Sequence, residues 1–156
     1  MKLTLALVGC GAISKKHLTA IYENEPTYTL TAVCDVDRDR AEAAASAYAS
    51  ERSESTPAIY TDVHRMLAGA QPDVVAIATP SAYHAEAIIA ALEHGAHVIA
   101  EKPLALSTAD MDRIEQAARA ADRMVTVCYV TRFAPHIRLL ADALQLRDAR
   151  SHEWRC

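Results

Sequence analysis

The sequence predicts an α/β fold: a Rossmann-type, doubly wound parallel sheet of about six strands with helices on both faces. Three observations predict it. Short apolar runs alternate with helix-favouring stretches along the chain. The runs are uniformly apolar instead of alternating with polar residues, as strands covered on both faces are. Turn and capping residues punctuate nearly every junction between them. The 156 residues, 51% hydrophobic and 23% charged, suffice for one well-covered core. Residues 1–146 are therefore read as one Rossmann-type domain and residues 147–156 as a frayed or disordered tail.

Each element follows from its residues. Residues 3–8 (LTLALV) form the first strand, closed by Gly9-Cys10-Gly11, and residues 13–22 bring Ile13, Leu18, Ile21 and Tyr22 to helical spacing. Residues 30–34 are the second strand, stopping at Asp35, and Asp37 caps an alanine-rich helix over residues 38–49. The polar residues 51–57 read as a loop and residues 58–61 as a third strand. Asp62 then caps a short helix that runs through Leu67 and stops at Gly69. Residues 74–78 are the fourth strand, closed by Thr79-Pro80-Ser81; a helix over residues 83–93 ends at Gly95. Residues 97–100 are the fifth strand, and Glu101-Lys102-Pro103 follows it directly. Ser107 or Thr108 caps a helix over residues 109–121, residues 124–129 are the sixth strand, and residues 134–146 the last helix.

Composition excludes several function classes. The net charge of −4, with basic residues scattered among acids, offers no patch for nucleic acid or anionic lipid. No apolar run approaches the roughly 18 residues of a membrane span, and the apolar run before Gly9 is too short for a signal-peptide core, so a cytoplasmic protein is expected. Cys10, Cys34, Cys128 and Cys156 form no C-x-x-C pair and read as reduced thiols; Cys10, beside a helix N-terminus, is the one placed for modest activation. His94 and His97 are separated by the helix-ending Gly95, so no metal site is expected, and His17 reads as a packing or capping residue.

The chemistry-bearing residues lie after the strands. Gly9-Cys10-Gly11-Ala12-Ile13-Ser14 stands where the dinucleotide fingerprint G-x-G-x-x-G/A belongs, with small Ser14 in place of the third glycine. Gly9 permits the tight turn, and Gly11 lets the backbone approach a pyrophosphate held on the first helix's N–H groups. Asp35, ending the second strand, is placed to accept hydrogen bonds from the adenosine ribose and to repel a 2′-phosphate. NAD is therefore expected over NADP, with Arg38 and Arg40 close enough in sequence to rescue NADP. Thr79-Pro80 and Glu101-Lys102-Pro103 fall at the carboxyl edge of the sheet, where open α/β folds bind ligands, and Lys102 is placed to polarise a substrate hydroxyl or relay its proton.

These residues resemble a known family. Gly9 to Ile13 followed by His17, then Cys34-Asp35-Val36-Asp37, the block from Pro72 to Pro80 with His84, the block from Gly95 to Pro103, and Arg132-Phe133 with Pro135 look like the glucose-fructose oxidoreductase, inositol dehydrogenase and rhizopine catabolism group, Gfo/Idh/MocA. The resemblance implies an NAD(P)-dependent dehydrogenase acting on the CH–OH group of a sugar, cyclitol or related compound. Carried over by position, Gly9, Gly11, Ala12 and Ile13 hold the pyrophosphate and Asp35 the ribose. Thr79, Pro80 and His84 line the nicotinamide side, Glu101 contacts the nicotinamide ribose, Lys102 is the active-site lysine and Arg132 lies at the substrate end. The family continues into a second domain that supplies the substrate pocket and an interface between identical subunits. The chain is expected to lack that domain, and so to bind NAD(H) while turning over no substrate efficiently alone. The alternative is a nucleotide-binding or interaction module that kept the fold without catalysis. A methyltransferase would share the glycine turn but has no use for Lys102.

Overall fold

The computed structural model describes residues 2–24, 27–51 and 56–143. Strands β1 (Leu3–Val8), β2 (Tyr28–Cys34), β3 (Ala58–Tyr60), β4 (Val74–Ile77), β5 (His97–Ala100) and β6 (Val125–Val127) form one sheet in the order β3-β2-β1-β4-β5-β6, every pair parallel. Helices α1 (Ser14–Glu23), α2 (Arg38–Ser50), α3 (Val63–Ala70), α4 (His84–Glu93), α5 (Thr108–Ala121) and α6 (Pro135–Ala143) alternate with the strands. The chain builds outward from β1 to β3, then returns to β4 on the other side of β1 and builds outward again. The loops after β1 and β4 therefore diverge, opening a crevice at the carboxyl ends of two neighbouring strands.

Strand periodicity divides the core in two. Leu5 and Leu7 of β1 pack with Ile21 of α1 and with Ala41, Ala44, Ala45 and Tyr48 of α2. Ala6 and Val8 point the other way, toward Met66 and Leu67 of α3, Ile88 and Leu92 of α4, and Ile114 and Ala118 of α5. Size is matched across each layer: large strand residues meet the alanine stripe of α2, and small ones, Ala6 and Ala32, meet large helix residues.

The β1–β2 pairing slips by one residue between Leu5 and Ala6, so that Leu5 faces Leu30 and Ala6 faces Ala32. The bulge leaves backbone groups to satisfy, and side chains do so. The Leu30 amide donates to the Tyr48 hydroxyl at 3.3 Å, and the Thr31 hydroxyl donates to the Leu5 carbonyl at 3.3 Å.

The caps fall where the sequence places them. Asp37 accepts from the amides of Asp39 and Arg40, Asp62 from Arg65, and Ser107, not Thr108, from Asp110. Gly69 does not end α3. The helix runs on to Ala70, and Gln71, in the left-handed region at φ 43°, terminates it. Gly69 is small for another reason: a Cβ there would lie 2.7 Å from the Tyr60 hydroxyl oxygen of β3. The helix expected over residues 83–93 begins as a 3-10 turn, Ser81–Tyr83, and a second 3-10 turn, Val130–Phe133, separates β6 from α6. Edge strand β6 is shorter than expected, and the tail of residues 147–156 lies outside the described residues. Among the described residues no helix is long and apolar enough to cross a membrane.

At the sheet's amino edge Asp73 ties β1, β4 and β5 together. Its carboxylate accepts from both the amide and the hydroxyl of Thr4, each at 2.8 Å, while its own amide donates back to that hydroxyl at 3.0 Å. Its carbonyl accepts the His97 amide at 2.9 Å. The Thr4 hydrogen bonds hold the Asp73 carboxyl below the ordinary carboxylate range. Because the folded state favours the ionised form, the stabilisation is full above the ordinary carboxylate pKa and is lost as pH falls through the depressed one. Asp73→Asn is expected to cost about 1 kcal/mol at neutral pH. Urea denaturation as a function of pH checks it: the gap between wild type and variant narrows on acidification through the carboxylate range.

Candidate functional site

The first loop is built around a backbone contact. Gly9 sits at φ 93°, and a Cβ there would lie 2.6 Å from Ala78 C and O and from Thr79 N. Its amide donates to the Cys34 carbonyl at 2.8 Å, and the Ala78 amide donates to the Val8 carbonyl at 2.7 Å. The ends of β1, β2 and β4 are thus drawn together. Gly11 is different: nothing lies within 4 Å of where its Cβ would be. The fold does not require a glycine there, and open space lies before it. The Ser14 hydroxyl donates to the Gly11 carbonyl at 2.6 Å and is buried, so this serine closes the turn where the fingerprint has a glycine. Among the described residues the amides of Gly11, Ala12 and Ile13 have no partner. Three successive free N–H groups at the head of α1 form an anion-binding nest.

Asp35 fastens this loop from the side. One carboxylate oxygen accepts the Cys10 amide at 2.7 Å and the other the Asp37 amide at 2.9 Å. Carboxylate lone pairs remain for a ligand. The two nearby arginines point to their own helix: Arg38 pairs with Glu42 at 2.8 Å and Arg40 with Asp37 at 3.1 Å.

Two further loops complete the edge. The Thr79 hydroxyl is buried without a hydrogen-bond partner among the described residues, an orphan that costs about 1–3 kcal/mol unless a ligand meets it. Pro80 beside it is exposed. His84 is 1% exposed, with Nδ1 at 2.7 Å from the Pro103 carbonyl oxygen and Nε2 at 2.9 Å from that of Thr79. The expectation that it lines the cleft is corrected: it sits behind both loops and fixes their separation. Lys102 is exposed, and among the described residues its ammonium has no partner. Arg132 is exposed on the 3-10 turn after β6.

Sequence reading missed one grouping. His17 Nε2 lies 3.1 Å from Glu101 Oε1, both largely buried, and Cys128 Sγ lies close by: one ligand atom from each of the three residues falls within 4.8 Å of the others. These residues come from α1, the loop after β5 and the end of β6, and no sequence pattern links them. Among the described residues the three thiols, Cys10, Cys34 and Cys128, are not activated. Burial, with the Asp35 charge, pushes Cys10 up to about 12, which overturns its expected activation, and burial pushes Cys34 up to about 11. Cys128 is raised by burial and by the Glu101 charge.

Known proteins are similar to this chain in sequence and fold. Residues 3–129 match the profile of an oxidoreductase family with an NAD-binding Rossmann fold, Gfo/Idh/MocA. The chain is 34% identical over 134 residues to the inositol 2-dehydrogenase of Salmonella typhimurium, covering 85% of this chain and 38% of that protein. It is 32% identical over 146 residues to the D-glucoside 3-dehydrogenase of Escherichia coli, covering 94% of this chain and 38% of the relative. The crystal structure of the WlbA dehydrogenase of Bordetella pertussis in complex with NADH and UDP-GlcNAcA superposes with a TM-score of 0.82 at 29% identity, over 94% of this chain and 42% of that one. The chain thus spans about two fifths of the length of the proteins it matches.

The two loop glycines are expected to respond oppositely to a methyl group. Gly9→Ala meets backbone that has no room for it and a left-handed φ, and should lose more than about 2 kcal/mol. Gly11→Ala should leave the thermal midpoint of the protein unchanged or slightly raised. Thermal denaturation followed by circular dichroism of the two variants side by side checks the contrast.

Proposed function

The chain belongs to the Gfo/Idh/MocA oxidoreductase family as an NAD-binding Rossmann domain, and from that premise we propose that its cleft serves hydride transfer at a CH–OH carbon of a sugar, cyclitol or related compound. The observation that carries this reading is the open approach to Gly11 beside the unpartnered amides of Gly11, Ala12 and Ile13. A diphosphate fits that nest. The orphaned Thr79 hydroxyl and the spare lone pairs of Asp35 fit the hydroxyl-rich and amide-bearing parts of a dinucleotide on either side of it.

When bound, the cofactor supplies the hydride acceptor or donor. The chain's own residues hold and orient. The loop amides neutralise the diphosphate, and Asp35 accepts from the adenosine ribose. Its charge also disfavours a 2′-phosphate, and the ion pairs of Arg38 and Arg40 with Glu42 and Asp37 leave neither directed at that position. NAD is preferred over NADP on that ground. Thr79, Pro80 and Glu101 border the nicotinamide end, and His84 keeps the Thr79 and Pro103 loops apart by the width of one imidazole. The Lys102 ammonium stabilises the substrate oxygen as its proton leaves or returns, and Arg132 stands toward the substrate. The dehydrogenases that match this chain act, by their names, on inositol and on glucosides, which supports a polyhydroxylated substrate. The same reading places the protein in the cytoplasm, in keeping with three unpaired thiols, Cys10, Cys34 and Cys128.

Fluorescence titration of the chain with NADH is expected to saturate, with NADPH binding more weakly. Gly11→Ala should weaken NADH about 10-fold, the equivalent of one lost charge-assisted hydrogen bond. No saturation up to millimolar NADH, or tighter NADPH, would overturn the reading.

A further inference from the structure

We propose that His17 Nε2, Glu101 Oε1 and Cys128 Sγ together form a binding site for a thiophilic divalent cation, and that Zn2+ is the ion the set fits best. The three ligand atoms lie within 4.8 Å of one another. Donors around a tetrahedral Zn2+ at its usual bond lengths stand roughly 3.3–3.8 Å apart, so small side-chain adjustments close the site. A mixed nitrogen, oxygen and sulfur set suits Zn2+ and discriminates against Mg2+ and Ca2+, which take oxygen. Three protein ligands leave the fourth position to water.

The scaffold holds the ligands from three directions. The Glu101 amide donates to the Ile77 carbonyl and the Cys128 amide to the Ala100 carbonyl, each at 2.9 Å, so both residues extend the sheet's own hydrogen bonding. The Lys102 amide donates to the second Glu101 oxygen at 3.3 Å and orients the carboxylate. His17 is carried on α1 and already reaches the first oxygen. Burial first, and then the Glu101 charge, disfavour the Cys128 thiolate in the metal-free chain. A cation between them turns that repulsion into shared coordination. Binding forms the Zn–S bond, releases the thiol proton to solvent and changes no oxidation state.

The consequence rests on the proposed function, in which Glu101 borders the nicotinamide ribose. Glu101 would be shared, and a cation on its carboxylate draws off the charge that makes it an acceptor for the ribose, so cation and cofactor weaken each other and the site is inhibitory.

Co2+ added to the 156-residue chain makes the site visible, because a thiolate-bound cobalt gives charge-transfer absorption in the near ultraviolet and Zn2+ then bleaches it. Cys128→Ser should abolish the absorption. Cys156→Ser, which removes the cysteine outside the described residues, should keep it. His17→Gln should weaken Co2+ by more than the about 10–100-fold that loss of an outer partner costs. Circular dichroism confirms that each variant is folded. No such absorption in the wild-type chain, or absorption that survives Cys128→Ser, would overturn the site. Saturating NADH should raise the Co2+ concentration needed. Absorption indifferent to NADH, while NADH fluorescence still saturates, would overturn the competition and leave the site standing. Failure of NADH to bind at all would strike the proposed function instead.

Discussion

The backbone of Gly9 lies against that of Ala78 and Thr79 with no room for a methyl group, a Cβ there falling 2.6 Å from three backbone atoms. The order of the sheet makes this contact unavoidable. β1 and β4 are neighbours, and the chain leaves them toward opposite faces, so their first loop residues must pass each other where the strands stop. Only a residue without a side chain allows it at φ 93°. Once Gly9 is seated, the Cys10 amide reaches Asp35, the head of α1 is aimed across the edge, and the Thr79 carbonyl is positioned for His84. The candidate site depends on that passing point more than on any single polar bond.

What the sequence discloses is what neighbouring residues determine together. The strands are apolar runs because both faces are covered, and Asp37, Asp62 and Ser107 are caps because a helix end needs an acceptor within three residues. These are local requirements, and they can be read locally. Gly69 shows the limit. It has the look of a helix stop, yet its smallness answers to the Tyr60 hydroxyl on another element. The two glycines of the first loop stand in one motif for unlike reasons, Gly9 for the fold and Gly11 for open space, and only the surrounding atoms separate them. Cys10 lies near a helix N-terminus, which lowers a thiol pKa, but burial and the Asp35 carboxylate outweigh the helix. His84 follows the Thr79-Pro80 turn in sequence, but its burial and its contacts to the Thr79 and Pro103 carbonyls depend on a loop 19 residues away, which no local pattern discloses. His17, Glu101 and Cys128 share no spacing rule at all; the sheet order alone brings them together.

A sheet covered on both faces gives its strands no polar surface except at their ends. Chemistry must therefore be assembled along the carboxyl edge from residues that follow different strands, and the order of strands fixes the order of charges. Reading across β2, β1, β4 and β5, the edge presents the Asp35 carboxylate, then the three unpartnered amides, then the Thr79 hydroxyl, then Glu101 and Lys102. At about 4.8 Å per strand, the two carboxylates are separated by three spacings, roughly 14 Å. A dinucleotide has the complementary layout: an anionic diphosphate in the middle and a hydroxyl-bearing ribose on each side. The amides lie where the negative charge would be, and hydrogen-bond acceptors lie where the hydroxyls would be. Exchanging β1 with β2, or β4 with β5, would bring a carboxylate to an inner position beside the diphosphate, so the fit belongs to the order of the strands and not to the glycine motif alone.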